Sequence, residues 1–485
     1  MPTFGVSPGV FVREIDRSIT TAPAFGNVGA VVISADRGPV EPTFITSERQ
    51  FVNIYGEPSM DNPSMYSAIY FLKQVSSLWV NRVVVDAVPA SVDISVTVEE
   101  ETEILGSFTA SSPGSWGNDL TVEFQEVEDR DDVINLVVLY KNELVEEFEV
   151  SFDPAAKDGF GQNIFIETVV NNRSDYIVVD YTPTDGFEIS AGDTFSLEDG
   201  LDDTTPVSDP EVISGIEAFD NKDKISINYV LNGGWSSAGV HSAITALCES
   251  RKDCVGILDL PNDDDATSLV TYRKETSGQN SSYVAYYGGW VRVVDTYTGL
   301  QINLPPSGFV GTVFAFSQSQ GEVWDAPAGF RRGRIANVIG LANDTWNGAE
   351  RDLLYKNQIN PIIDQTGVVV WGQKTSQVLP SSFDRVNVRF LFNFISESLQ
   401  PSLQGFVFEG ITDFTIASAN ALVTNFLESI LQQGGVTGFR VDTGPDVNTP
   451  QSIDQNILAV EVYIQPTRAA EFIRLDLIAV PTGTL

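Results

Sequence analysis

The chain has few residues that could perform catalysis, and each occurs without the partners that a reaction needs. His241 is the only histidine, and although Ser242 follows it near the start of a predicted helix, no second base in the sequence pattern would activate that hydroxyl. The acidic run 263–265 invites a metal interpretation, but it lacks the alternating oxygen ligands and central glycine of a calcium loop. Acidic residues at the start of a helix are expected from the helix dipole alone. We therefore predict no catalytic residues, no metal site and no cofactor.

The glycine and cysteine motifs also favour structure over chemistry. The segments 233–235 and 288–290, both Gly-Gly-Trp, are typical of turns, since neither belongs to a GxGxxG or phosphate-loop pattern. Cys248 and Cys254 are too few for a disulfide framework and are predicted to be small buried hydrophobic residues. An α/β enzyme with an inserted domain remains an alternative, and it would need polar residues that converge in a pocket.

Composition excludes several classes of function. The chain has 485 residues, enough for about three domains. With 28 Lys and Arg against 66 Asp and Glu, the formal charge is −38, and a chain this acidic repels nucleic acid. The start, MPTFGVSPGV, lacks the basic and apolar regions of a signal peptide, and no apolar run approaches the roughly 20 residues of a membrane span. We expect no nucleic-acid binding and no direct membrane insertion.

The negative charge is concentrated in one part of the chain. Residues 91–225 hold 33 acidic and 6 basic residues, which is a net −27 of the total −38. This part is also rich in strand formers, and Lys141-Asn142 between residues 133–140 and 144–152 predicts a hairpin. The pattern favours a β-rich inserted domain over 91–209 that faces solvent, where charge of one sign discourages lateral association.

Strands and helices alternate on both sides of this insert. This alternation predicts one α/β domain with a mainly parallel sheet, formed by residues 21–90 and 210–365. The predicted strands are 26–34, 79–85, 225–230 and 255–260, and the predicted helices are 64–75, 238–250 and 264–274.

The pattern of the last part, 366–485, predicts an α+β domain. Helices are predicted over 383–399 and 416–431, with Gly434-Gly435 as the stop signal of the second helix. Predicted strands follow at 438–442, 457–465 and 473–480, with a short helix at 468–472. The predicted fold class is thus a multidomain α/β and α+β protein.

Each terminus carries a strand pattern that has no neighbour in sequence. Residues 10–15 precede the first domain and are separated from it by a polar stretch, and 473–480 end the chain in the same manner. Because backbone groups of a strand need partners, such a segment can add to the sheet of another subunit.

Several long segments resemble one known family. SPGVFVREID at 7–16, GNVGAVVISADRGP at 26–39, WDAPAG at 324–329, WGQKT at 371–375 and VYIQPTRAAEFIRLDLIAVP at 462–481 occur in the order and spacing of contractile-tail sheath proteins of myovirus-type bacteriophages. The resemblance covers most of the chain and departs mainly in the acidic insert, which is the variable outer part of such sheaths.

The resemblance implies a structural subunit of the virion tail that is assembled in the host cytoplasm. Family members stack as six-membered rings in a helix around a tail tube, with baseplate and tail terminator proteins at the ends. Contraction then drives the tube through the host envelope. The C-terminal domain would face the tube, through 384–400 or 415–433, and terminal arms would add strands to neighbouring subunits.

By position, the N-terminal arm is 1–20 and the C-terminal arm is 474–485. The implied contact residues are Val10, Phe11, Val12 and Ile15 in the first arm, Leu475, Leu477, Ile478 and Val480 in the second, and Phe439, Val441, Val460, Val462 and Ile464 in the receiving sheet.

Two questions stay open at this point. The basic cluster Arg331, Arg332 and Arg334 either forms ion pairs within this acidic protein or docks on an acidic face of a neighbour. The sheath could belong to a phage, to a phage-derived bacteriocin or to a secretion-type machine. An unsplit chain favours the first two, and an acidic extracellular array protein is a weaker rival because no export signal is found.

Overall fold

A computed structural model describes residues 26–98, 101–127, 130, 133–184, 189–342 and 346–478. The described residues form two compact units, one from Gly26 to Arg389 and one that begins at Phe390. The predicted N-terminal strand at 10–15 and the last residues of the predicted C-terminal strand, 479–480, lie outside the described residues.

The first stretch of the larger unit has the predicted strand–helix–strand pattern. Ser47 caps the first helix by accepting a hydrogen bond from the Gln50 amide, and Pro63 occupies the first turn of the second helix, where its missing N–H has no cost. The elements are β1 (Gly29–Ile33), β2 (Thr43–Ile45), α1 (Glu48–Tyr55), α2 (Pro63–Leu72) and β3 (Leu78–Arg82).

The acidic segment forms two antiparallel sheets around a hydrophobic core of its own. Its strands and helix are β4 (Ser91–Val98), β5 (Glu101–Ala110), β6 (Leu120–Glu126), β7 (Ile134–Tyr140), β8 (Glu143–Val150), α3 (Ile166–Arg173), β9 (Ile177–Tyr181) and β10 (Thr194–Ser196). The sheet orders are β4–β5–β9 and β10–β6–β7–β8. The predicted hairpin is confirmed: Lys141 and Asn142 both have positive φ, as a tight two-residue turn requires.

The chain then returns to the α/β pattern. The elements are α4 (Asp209–Glu217), β11 (Tyr229–Leu231), α5 (Ala238–Arg251), β12 (Val255–Asp259), α6 (Ala266–Thr271), β13 (Val284–Gly288), β14 (Val291–Val294), β15 (Gln301–Leu304), α7 (Ser307–Gln320), α8 (Gly329–Arg332), β16 (Gly340–Leu341), α9 (Gly348–Lys356), β17 (Ile359–Asp364) and β18 (Val368–Val370). A π-helical turn, Tyr272–Ser277, extends α6.

Eight of these strands form the main sheet in the order β18–β17–β13–β12–β11–β1–β3–β2. The six inner strands are parallel, as predicted, and the short strands β2 and β18 are antiparallel to their neighbours. Val32 packs on α4, whereas Leu231 packs on α7. Because these two side chains belong to opposite faces, helices cover the sheet on both sides, which explains why β1, β11, β12 and β13 are buried throughout.

A hydrogen-bonded crossing joins the insert to the main sheet domain. Where the chain enters and leaves the insert, Val88 pairs with Leu201 and Ser91 pairs with Glu198. The Asp203 carboxylate accepts hydrogen bonds from three successive amides, those of residues 85–87, at 2.8–2.9 Å. Arg82, which is buried, donates to the carbonyls of Ala35, Gly38 and Pro113. The insert is therefore fixed to the domain and does not hang on a free linker.

The second unit contains most of one long helix and a small sheet. Helix α10 (Val386–Gln404) begins in the first unit and continues into the second, and it is followed by α11 (Asp413–Gln432), β19 (Val436–Asp442), α12 (Pro450–Asp454) and β20 (Glu461–Pro466). The predicted apolar face of α11 is confirmed, since Ala419, Val423, Leu427 and Ile430 are buried. Gly434, with φ of 82°, follows the helix end.

Helix α11 corrects one statement made from the sequence. It is long and apolar enough, by length and composition alone, to cross a membrane, although no comparable apolar run was expected. One such helix is weak evidence, because the core helix of a water-soluble domain passes the same test. Its buried residues follow a helical period on one side, as in an amphipathic helix that packs on a sheet.

The C-terminal segment differs from its predicted secondary structure. Residues 468–472 form no helix, and 473–478 form no strand with the described part of this chain. A strand needs a neighbouring strand, and strand-forming residues alone do not supply one. The division of the structure at residue 390 also lies later than the expected domain boundary at 366, because β18 extends the main sheet through its pairing with β17.

We predict that Asp203→Ala lowers the free energy of unfolding by about 1–3 kcal/mol, because three backbone amides lose a charged acceptor. Urea unfolding measures this change. Limited proteolysis should also show faster cleavage near residues 85–90. Asp203→Asn keeps one carbonyl oxygen at the same place, so its free energy of unfolding should fall less. Equal decreases in the two variants would contradict this account of the crossing.

Candidate functional site

The residues that invited a catalytic interpretation are part of the framework. Asp265 caps α6 by accepting hydrogen bonds from the amides of Thr267 and Ser268, and Asp263 accepts from the Asp265 amide. The acidic run is thus a helix start. Among the described residues, no group of three or more His, Cys, Asp or Glu side chains is placed to hold a metal ion.

A buried polar cluster lies at the carboxyl ends of the parallel strands, where open α/β sheets often bind ligands. Asp259, the last residue of β12, accepts hydrogen bonds from the Gly234 amide at 2.9 Å and from the amide and hydroxyl of Ser307 at 2.7 and 2.6 Å. Ser307 is the first residue of α7. One carboxylate thereby joins β12, the turn after β11 and the start of α7.

His241 belongs to the same cluster. Its Nε2 lies 3.1 Å from the Asp259 carbonyl, and its Nδ1 lies 2.8 Å from the Ser277 hydroxyl, which contacts Tyr286. Burial lowers the pKa of His241 to about 4 and raises the pKa of Asp259 to about 7. Both residues have no exposed surface, so no dissolved substrate reaches them in this conformation. Their arrangement supports a role in holding the turn in place.

The two cysteines are buried and free, with their sulfur atoms 3.6 Å apart. The hydrogen bond with Cys248, together with burial, raises the pKa of the Cys254 thiol well above its ordinary value. A thiol that stays protonated is a poor nucleophile. Both residues pack in the main hydrophobic core, as the sequence predicted.

The basic cluster separates into three different environments. Arg332 forms an ion pair with Asp325 at 2.7 Å. Arg334 donates to the carbonyls of Phe330 and Thr366. Arg331 is exposed on α8 and follows Phe330 in sequence, and the centre of the Phe330 ring lies 5.0 Å from that of the Trp371 ring. Ion pairing within the chain therefore accounts for Arg332, whereas Arg331 and Arg334 are both exposed.

Four of the five predicted receiving residues are brought together in the antiparallel pair of β19 and β20. Phe439 pairs with Ile464 and Val441 pairs with Val462, so these four half-buried side chains share one face of the β19–β20 sheet. Val460 directly precedes β20. The opposite face carries Arg440, whose guanidinium lies 4.1 Å from the centre of the Tyr463 ring. Within the described residues, β19 and β20 pair only with each other, and each has one outer edge open.

The predicted C-terminal contact residues are exposed. Leu475, Leu477 and Ile478 are each more than three-quarters exposed, and so are Phe472 and Ile473 just before them. Val480 lies outside the described residues, as do Val10, Phe11, Val12 and Ile15 of the predicted N-terminal arm.

Two features of these surfaces were missed from the sequence. One is the Phe330–Trp371 pair: Phe330 directly follows the WDAPAG segment, and Trp371 begins the WGQKT segment. The other is an open apolar cavity of about 940 Å³ beside β20, lined by residues of 403–411 and 453–460 together with Ala419. The signal in the sequence that could have indicated this cavity is the adjacent apolar pair Val407 and Phe408, and both residues are exposed in the structure.

Known families match this architecture. A model described as the phage tail sheath protein central domain matches residues 207–376, and one described as the phage tail sheath C-terminal domain matches residues 379–478. The two matches together cover more than half of the chain. The first match ends at residue 376 and the second begins at 379, which is after the last strand of the main sheet and before α10. The chain belongs to the phage tail sheath family.

Individual relatives agree with this assignment. The chain is 26% identical to the tail sheath protein of Enterobacteria phage T4 over 372 residues, which are 72% of this chain and 56% of that protein. The sheath tail protein from Listeria innocua has the same fold, with a TM-score of 0.62 at 13% identity over 86% of this chain and 89% of that one. The helical sheath protein of the anti-feeding prophage, in the contracted state, has a TM-score of 0.57 at 16% identity over 98% and 99%.

The chain spans little more than half the length of the curated phage relatives that it matches. The likeness to the Listeria and anti-feeding prophage structures concerns the fold.

The buried cluster leads to a prediction about pH. Because the folded-state pKa of Asp259 is about 7 and its ordinary value is 3.8, the native protein holds this proton where the unfolded chain has lost it. Its contribution to stability is then present below pH 4 and lost as the pH rises to 7. Asp259→Asn cannot titrate, so the wild type should lose stability relative to this variant between pH 4 and 7.

Thermal or urea unfolding of both proteins across that range measures the difference. A flat difference would contradict the raised pKa. A difference of opposite slope would mean that the three donated hydrogen bonds outweigh burial and lower the pKa.

Proposed function

We propose that the chain is a structural subunit of a contractile phage tail sheath. Copies would polymerise as stacked six-membered rings around a tail tube, and contraction would drive the tube through the host envelope for genome ejection. The main support is family membership across 207–478, together with a sheet in that region whose two outer edges are open within the described residues. The family is one of structural proteins, in keeping with the assignment as a non-enzyme.

The terminal arms would connect the subunits. In this proposal, Val10–Ile15 of one neighbour and 474–480 of another add strands to the open edges of β19 and β20. The exposed apolar side chains of 472–478 support this role, since water does not favour such a surface. A contact between two different surfaces of the same chain does not close on itself and generates a helical tube.

Contraction would then be a re-packing of rigid bodies that the arms keep connected. The hydrogen-bonded crossing at Asp203 supports the rigid attachment of the insert. The extended state would be held by a kinetic barrier, and release at one end would let the change spread along the tube.

The remaining partners follow from the same proposal. The C-terminal domain would face the tail tube, through α10 or α11, and the acidic insert would point outward. Baseplate and terminator proteins would bind the ends of the sheath, and assembly would take place in the host cytoplasm before the virion is released. A bacteriocin or a secretion-type injection machine is the alternative setting for the same subunit.

Arg331 is our candidate for a contact between subunits. Since the chain has a net charge of −38, an exposed arginine that follows Phe330 in sequence fits an acidic surface of a second copy. We predict that Arg331→Glu leaves the monomer folded and slows tube formation, with a smaller effect at high salt. Arg173→Glu in the insert is the matched control for charge alone, and equal effects of the two substitutions would contradict this assignment.

The first test of the function is negative-stain electron microscopy of the purified chain, alone and with the tail tube protein. We expect long, hollow, striated tubes in at least one of the two samples. Compact single particles in both would contradict the proposal.

Deletion of residues 1–17 should leave a folded monomer that forms no tubes, because it removes the first arm. Circular dichroism and thermal unfolding check the fold, and the microscopy checks assembly. Deletion of residues 1–6 keeps Val10–Ile15 and should assemble normally. Normal tubes from the longer deletion would contradict the assignment of the arm.

A further inference from the structure

The second unit has an apolar cavity that has no role in the strand addition proposed above. Its walls include Leu403, Phe406, Ile411, Ala419, Ile453 and Leu458, and its volume is about 940 Å³. This space is large enough for several apolar side chains. Glu409 is the charged residue among those that line it.

The rim of the cavity is unusual for a surface in water. The Phe408 ring is fully exposed, and its backbone has a φ of 70°, a region that costs free energy for a bulky side chain. Val407 beside it is more than half exposed. Such strain with exposed apolar surface is typical of a place that another molecule covers.

The position of the cavity relates it to the small sheet. Val460 and Leu458 in its wall directly precede Glu461, where β20 begins. A strand added along the outer edge of β20 would therefore have one end near the cavity.

We propose that this cavity receives the Phe472 side chain of a second copy of the chain. The residues after β20 carry five apolar side chains that are more than three-quarters exposed, and Phe472 has the largest apolar side chain among them. Arg474, two residues further on, is exposed and pairs with Asp476 at 2.9 Å in its own segment, and docking would let it exchange this partner for Glu409. Strand addition supplies backbone hydrogen bonds, and the pocket supplies the anchor that fixes the register. This inference rests on the proposed self-assembly.

A cross-linking experiment on the full chain tests the proposal. Leu458→Cys and Phe472→Cys are combined in one protein, tubes are formed, and mild oxidation is followed by non-reducing electrophoresis. We expect a ladder of covalent oligomers. The native cysteines are buried, and the wild-type chain treated in the same way shows their background.

The control combines Phe472→Cys with Glu428→Cys on the exposed side of α11 and should give no ladder above background. Tubes without a ladder, a ladder of equal strength in the control, or a cross-link confined to the monomer would each overturn the pocket assignment. If the wild-type chain forms no tubes with or without the tube protein, the proposed function fails instead. The two failures are therefore distinguishable.

A second variant does not depend on cysteine chemistry. Phe472→Ser lies in an exposed segment, so the monomer should unfold at the wild-type temperature. Loss of a buried aromatic anchor should raise the critical concentration for tube formation at least about tenfold. An unchanged critical concentration would overturn the proposal.

Discussion

Unpaired strand edges are the constraint on which the rest of this structure depends. An open edge presents a row of backbone donors and acceptors, and proteins usually keep such edges short, charged or irregular. In the described structure, the main sheet ends in β2 and β18, each of three residues. In the insert, β10 has three residues, β4 has an irregular register, and β8 carries Glu143, Glu146, Glu147 and Glu149. The antiparallel pair of β19 and β20, with seven and six residues, has longer edges than the main sheet, and its own register is irregular between Val436 and Gly438.

This difference between the edges gives a physical reason why an added strand would pair with the β19–β20 sheet. A two-stranded sheet is marginally stable alone, and here it gains support from α11, which packs on β19. Added strands would complete the sheet and satisfy the edges. The negative charge of the insert, and of β8 above all, discourages the same event elsewhere, because like charges on facing edges repel each other. In the proposed strand exchange, this charge pattern would favour the β19–β20 sheet over the acidic edge of β8.

Much of the fold could be predicted from the sequence, because it follows from patterns of residues that are close together in the chain. The parallel sheet follows from the alternation of buried strands and helices, and the hairpin at 133–152 follows from turn residues that tolerate positive φ. The C-terminal segment could not be predicted in the same way, because strand-forming residues take that conformation only beside a partner. The cavity was missed because its walls come from segments about 50 residues apart, 403–411 and 453–460, and no periodic pattern links them. The acidic run at 263–265 was interpreted correctly, since a cap is a local arrangement.

The length of the connection between β20 and the proposed anchor has a consequence for contraction. Strand β20 ends at Pro466, and Phe472 lies six residues later, so an extended connection reaches roughly 20 Å. Two subunits could therefore shift by a distance of that order while Phe472 stays in the neighbour's pocket. In the proposed contraction the larger unit would move as a rigid body, because the Asp259 cluster and the Asp203 crossing resist its deformation. A chain with rigid bodies and a short extended link can change its packing without losing its neighbours, and that is the mechanical requirement of a sheath that contracts as one object.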